Sequence, residues 1–310
     1  MIKRLMNSCG IAFSMYSKIP MPQCDWTDDN MKYVMCFFPW IGAVIGALCI
    51  GWQQLAMWLG VGDPLRVVVL MLIPFFVTGG IHLDGMLDTA DALSSWRPME
   101  RRIEILKDSH AGAFAILICV VYFFLLYAVT DMVTVDMLPV YAMLFVVSRS
   151  LSGLSVVSFP KMKKEGTVAD FSKKAETGRI RVTLICYLVL AIAGMFILNP
   201  LYGAAATAGA LLTFGWYYRM AMKNFGGING DLAGWFLSNC ELVMPLFMVA
   251  AHLIAAKLGG GRRDYEADNR RRVSGKAGIR QNTIWTGRRL DRRCRLCIGS
   301  DRRMPRHLSF

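Results

Sequence analysis

Polar and apolar positions in this chain do not alternate at the spacing of a soluble core; they separate into long apolar runs joined by short polar connectors. A helix needs roughly 20 consecutive apolar residues to cross the hydrocarbon layer, and about 17 at the short end. Seven runs meet that measure: 34–59, 65–81, 111–130, 138–159, 182–198, 201–218 and 232–256. The second is the shortest; Pro64 suits its start and Pro74 predicts a kink. Only Asn199 and Pro200 separate the fifth from the sixth, so a tight hairpin is expected there. Residues 3–16, with a basic start and an apolar middle, predict a helix lying at the membrane interface. The expected fold is all-α, a polytopic integral membrane helical bundle with seven transmembrane helices.

Composition agrees with this pattern. Apolar residues make up 55% of the 310 and charged residues 18%, against about 25% charged in ordinary soluble domains. Charge changes the picture more. The net charge is +13, but residues 262–310 hold 15 basic and 5 acidic side chains, which leaves residues 1–261 with a surplus of only three. Nucleic-acid binding, which requires a concentrated basic surface, is therefore not expected of the body. The expected organisation is a membrane-embedded domain over 1–258 and an Arg-rich, disordered tail over 259–310. The nine cysteines are scattered through apolar surroundings apart from Cys294 and Cys297, whose lone C-x2-C has no second pair to complete a zinc site.

The connector 160–181 carries Lys161, Lys163, Lys164, Lys173, Lys174, Arg179 and Arg181, and the positive-inside rule places it in the cytoplasm. Alternation then puts 84–110 and 219–231 on the same side, where the polar chemistry collects. Seven crossings would send the basic tail outside, against its charge.

Candidate chemistry starts at G79-G-I-H-L-D-G-M-L-D-T-A-D-A-L93, directly after the second run. Asp84, Asp88 and Asp91 stand at offsets of four and three, so on a helix they share one face and repel unless a cation lies between them. Magnesium suits such oxygen ligands and bridges phosphate oxygens; a hydrated acidic face at the membrane is the plainer alternative. His82 is placed to meet a phosphate or to orient an acid. In I105-L-K-D-S-H-A-G-A-F114, Lys107 is a candidate phosphate contact and Asp108 a candidate metal ligand. Arg149 lies inside the fourth run, where a charge is costly and calls for a carboxylate or phosphate partner. F225-G-G-I-N-G-D-L-A-G234 sets Asn229 and Asp231 at the start of the last run, with Asp231 either a metal ligand or a helix cap. Glu241, within that run, is another costly carboxylate without an assigned role.

These three segments, in this order and at span boundaries, resemble the adenosylcobinamide-GDP ribazoletransferase (cobalamin synthase) family over about residues 1–258. Ala92 stands where the family commonly has glycine, and Asn229 where a small hydroxyl residue is common. The resemblance implies a Mg2+-dependent membrane enzyme. Its reaction joins the adenosylcobinamide phosphate unit of adenosylcobinamide-GDP to α-ribazole or α-ribazole 5'-phosphate, releases GMP and forms adenosylcobalamin or its 5'-phosphate. On that reading Asp84, Asp88, Asp91, Asp108 and Asp231 hold the metal, and Asp88 or Asp91 orients or deprotonates the hydroxyl. Lys107, Arg149, His82 and Asn229 bind substrate, membrane lipid surrounds the body, and the active site faces the cytoplasm. A CDP-alcohol phosphotransferase would suit similar carboxylates at helix ends but not this spacing, and an ion transporter is the non-enzymatic alternative.

Overall fold

The computed structural model describes residues 2–108, 110–162 and 176–258. Helices account for almost all of them: α1 (Ile2–Tyr16), α2 (Asp28–Met31), a 3-10 turn (Val34–Phe37) leading into α3 (Phe38–Leu59), α4 (Asp63–Thr78), α5 (Ile81–Ser94), α6 (Met99–Ile105), α7 (Ala113–Asp131), α8 (Leu138–Ser158), α9 (Thr177–Leu198), α10 (Pro200–Phe225) and α11 (Gly230–Leu258). Among the described residues extended pairing is limited to an isolated parallel bridge between Lys161 and Ile228. The chain divides into Met1–Ile254 and Ala255–Phe310. Of the second unit only 255–258 are described, so the expected tail 259–310 lies outside the described residues, as do Lys163, Lys164, Lys173 and Lys174.

Five helical stretches are long and apolar enough to cross a membrane: Val34–Leu59, α7, α8, α9 and α11. A sixth arises if α4 and α5, bent by 93° at their junction, count as one broken span. The chain is thus a multi-pass membrane protein, but the expected count of seven is not reached. Two runs account for the difference. The run 65–81 is not a free-standing span, because Gly79 (φ 66°) and Gly80 (φ 80°) adopt the left-handed conformation and turn the chain sharply after α4. The run 201–218 sits in α10, a continuous helix of 26 residues whose many Ala, Gly and Thr leave it below the apolarity of the others. The hairpin before it is as expected: Asn199 caps α10 by accepting the N–H of Tyr202.

The bundle is organised around α8, most of which is buried. Its closest neighbour is α3, whose Gly42 and Gly46 form a G-x-x-x-G face. A Cβ on Gly42 would lie 2.1 Å from the carbonyl oxygen of Phe145, and one on Gly46 would lie 2.3 Å from that of Ala142. Without side chains there, the two backbones meet directly, which is how helices gain dispersion contact where lipid offers no hydrophobic drive. By contrast α7 and α9 leave Phe124, Leu125, Leu190 and Ile197 exposed, as suits a lipid-facing surface. A helix, α1, covers the expected 3–16; it buries Ile11, Ala12 and Phe13 and leaves Met6 exposed. Cys36, Cys49 and Cys240 are buried and free, whereas Cys186 is exposed.

Candidate active site

Helix α5 is only 14 residues long and is turned 93° from α4. Its face carries Asp84, which is exposed, and Asp88 and Asp91, which are half-buried. The flank of that face must approach α11 closely. A Cβ on Gly85 would lie 2.7 Å from both the Cα and the carbonyl oxygen of Asp231, and a Cβ on Gly234 would lie 2.9 Å from the carbonyl oxygen of His82. Two glycines therefore let the first turn of α11 press against α5, and Asp231 arrives beside the other carboxylates. Asn229 sets that turn: its Oδ1 accepts the N–H of Leu232 at 2.9 Å, and its Nδ2 donates to Asp231 Oδ2 at 2.6 Å. The loop before it is pinned by Ile228 donating to Pro160 and accepting from Met162.

The second sequence segment joins through one bond. The N–H of Gly112 donates to Asp91 Oδ2 at 2.9 Å, and a Cβ on Gly112 would fall 2.1 Å from that oxygen. Gly112, directly before α7, is thereby held at the α5 face. In the connector before it Asp108 Oδ1 accepts from the backbone N–H of His110 and contacts His110 Nδ1 at 2.7 Å. That engagement keeps the Asp108 carboxyl below its ordinary range. Lys107 is exposed and makes no side-chain hydrogen bond or ion pair with a described residue.

Electrostatics single out one carboxylate. Partial burial, and then the charges of Asp84, Asp231 and Asp91, push the carboxyl of Asp88 up to about 6. Among the described residues no Lys or Arg pairs with any of these four acids. Nor are three or more His, Cys, Asp or Glu side chains placed to hold a metal ion together among the described residues. Asp91 spends an oxygen on Gly112 and Asp231 one on Asn229. The set is an open cluster of oxygen donors. That chemistry fits magnesium, which binds through one or two carboxylates together with water and substrate phosphate rather than in an all-protein cage.

Two expected substrate contacts lie elsewhere. Two helical steps, about 200°, carry His82 off the face of Asp84. Its Nε2 is buried without a partner among the described residues, next to a cavity of about 50 Å³ lined by Phe75, Thr78, Tyr122, Ser238, Arg149 and Glu241. Arg149 is fully buried; its Nη1 donates to Glu241 Oε1 and to the carbonyl oxygen of Phe145, while Nε and Nη2 have no partner among the described residues. Ser148 also donates to Glu241, at 2.8 Å. The sequence presented Arg149 and Glu241 as two separate costly charges; their pairing rests on α8 and α11 being neighbours, and the only local signal was that intramembrane charges seek one another.

Comparison with known proteins bears on this arrangement. Residues 8–249 match the model of the cobalamin-5-phosphate synthase family. An adenosylcobinamide-GDP ribazoletransferase of Lachnoclostridium phytofermentans is 45% identical over 246 residues, covering 79% of this chain and 94% of the relative. Proteins of the same name from Clostridium botulinum (strain Alaska E43) and Listeria monocytogenes are 31% and 30% identical, covering 78% and 74% of this chain and 96% and 92% of theirs. No solved structure matches. With its helical bundle and three motif segments joined at one end, the chain is a membrane enzyme of cobalamin biosynthesis that belongs to the cobalamin-5-phosphate synthase family.

Proposed function

We propose that the protein transfers the adenosylcobinamide phosphate unit from adenosylcobinamide-GDP to α-ribazole or α-ribazole 5'-phosphate. GMP is released, and adenosylcobalamin or its 5'-phosphate forms. The observation that carries this reading is the meeting of Asp84, Asp88, Asp91 and Asp231, close enough to push on one another's charge, without a cationic partner among the described residues. The names of the relatives point to the same donor and acceptor.

In this reaction a ribose hydroxyl attacks the phosphorus on the cobinamide side of the diphosphate. The new O–P bond forms as the bond to the bridging oxygen breaks, and that oxygen leaves with GMP. Asp91 already has one oxygen on Gly112, which favours Asp88 as the carboxylate that orients the hydroxyl and takes its proton. Magnesium bound by members of the set Asp84, Asp88, Asp91 and Asp231 would supply neutralisation of the diphosphate charge. Asp108, engaged by His110, shapes the connector rather than the metal set. Lys107 is placed on that connector to meet diphosphate oxygens, and Asn229 serves by holding Asp231. Arg149 and His82 face the cavity beneath α5, away from the carboxylate face. The positive-inside rule supports a site on the cytoplasmic side of the cell membrane.

Purified protein in lipid vesicles tests the proposal. GMP should appear only when Mg2+, adenosylcobinamide-GDP and α-ribazole or its phosphate are all present, and Asp88→Asn should suppress it without preventing membrane insertion. CMP release from a CDP-alcohol, or ion flux without phosphoryl transfer, would overturn the reading.

A further inference from the structure

Between α1 and α2 the chain is not helical, yet it is held firmly at Lys18. The backbone N–H of Lys18 donates to the carbonyl oxygen of Val77 at 2.7 Å. Ser17 braces the turn by donating to Phe13 at 2.7 Å and accepting from Ile19 at 3.3 Å. The aliphatic stem of Lys18 then lies directly over Gly79: a Cβ there would be 2.3 Å from Lys18 Cε and 2.7 Å from its Cγ. Gly79 is thus required twice, for its left-handed backbone (φ 66°) and for the room it leaves the lysine. The neighbouring Gly80 accepts the N–H of Asp84, so the stem crosses the chain at the threshold of the acidic helix. Lys18 is exposed, and its ammonium makes no hydrogen bond or ion pair with a described residue.

A long cationic side chain normally keeps its rotamer freedom at a surface, and holding it in place costs entropy. Here a backbone bond and a glycine groove hold its stem at Gly79, directly before the helix that carries Asp84, Asp88 and Asp91, whose charges repel any incoming diphosphate. We propose that Lys18 is a substrate-binding residue whose ammonium grips phosphate oxygens of the diphosphate donor at the start of α5. The proposal rests on the reaction proposed above. Its chemistry, an ammonium on a phosphate oxygen, could also be met by an anionic lipid headgroup, and the test separates the two.

Lys18→Met, Lys18→Gln and Lys18→Arg would be assayed for GMP release in zwitterionic vesicles and in vesicles containing anionic lipid. Loss of one charge-assisted hydrogen bond should raise KM for adenosylcobinamide-GDP roughly tenfold or more in the Met and Gln variants, in both lipids. KM for α-ribazole should stay within about twofold, and Lys18→Arg should recover most of the loss. An unchanged donor KM would overturn the inference. So would an effect confined to anionic vesicles, which assigns Lys18 to lipid, or an Arg variant as impaired as Met, which assigns it to packing on Gly79. If wild-type protein itself releases no GMP, the reaction proposed above fails, whereas an active wild type with indifferent Lys18 variants removes this inference alone.

Discussion

Gly85 of α5 and Asp231 of α11 are separated by less than a methyl group: a Cβ on Gly85 would stand 2.7 Å from the Asp231 backbone. Because this contact helps bring that carboxylate beside the others, the glycine shapes the site without bearing any chemistry. Gly85→Ala should push the first turn of α11 outward. A displacement of about 1 Å can cost on the order of a hundredfold in rate. GMP release should fall by about that factor while vesicle insertion is kept, and the backbone clash should lower the unfolding temperature.

Asp88 is surrounded by like charge, so its replacement should weaken divalent-ion binding as well as turnover. Asp88→Asn should lower kcat by roughly two to three orders of magnitude, the scale seen when a charge-stabilising group is removed. Isothermal titration of Mg2+ against the protein gives a readout independent of turnover. Chelation with EDTA should abolish GMP release, and excess Mg2+ should restore it in the wild type.

The pair Arg149–Glu241 is buried within the bundle, and removing one partner strands the other. Glu241→Gln alone should destabilise the protein by about 3–5 kcal/mol, because the guanidinium loses its charged acceptor. The double replacement Arg149→Met with Glu241→Met should be closer to wild type than either single variant. Thermal unfolding in detergent measures the three differences, and a double variant no better than the singles would exclude the pairing as the cause.

Gly46 touches the carbonyl of Ala142 across the α3–α8 contact. Gly46→Leu should force the helices apart and cost about 1–3 kcal/mol or more, since overpacking cannot be relieved by moving a flexible side chain. The same change at Gly51, where an added Cβ meets nothing, should be tolerated. Comparing the unfolding temperatures of both variants tests whether the G-x-x-x-G face holds the bundle.

Much of the site was legible in local spacing. Offsets of four and three place Asp84, Asp88 and Asp91 on one helical face whatever surrounds them, and α5 carries them that way. Asn229 and Asp231 were expected at the start of the last run, and Asn229 caps that helix. Lys18, which lies outside all three motif segments, emerged through its contact with Gly79.

By itself the sequence determined the kind of protein: apolar runs of spanning length demand helices, because backbone groups within lipid must be satisfied inside each segment. It also determined which residues could carry charge at the membrane edge. Tertiary structure decided the partners. Gly112 reaches Asp91, Asp231 joins the acids through Gly85, and Arg149 turns to Glu241 rather than to the carboxylate face. It also made 65–81 the first arm of a sharp bend instead of an independent crossing. The division has a physical cause: periodicity fixes the direction of a side chain relative to its own helix, whereas its partner depends on which helices pack together and on where glycine lets two backbones meet.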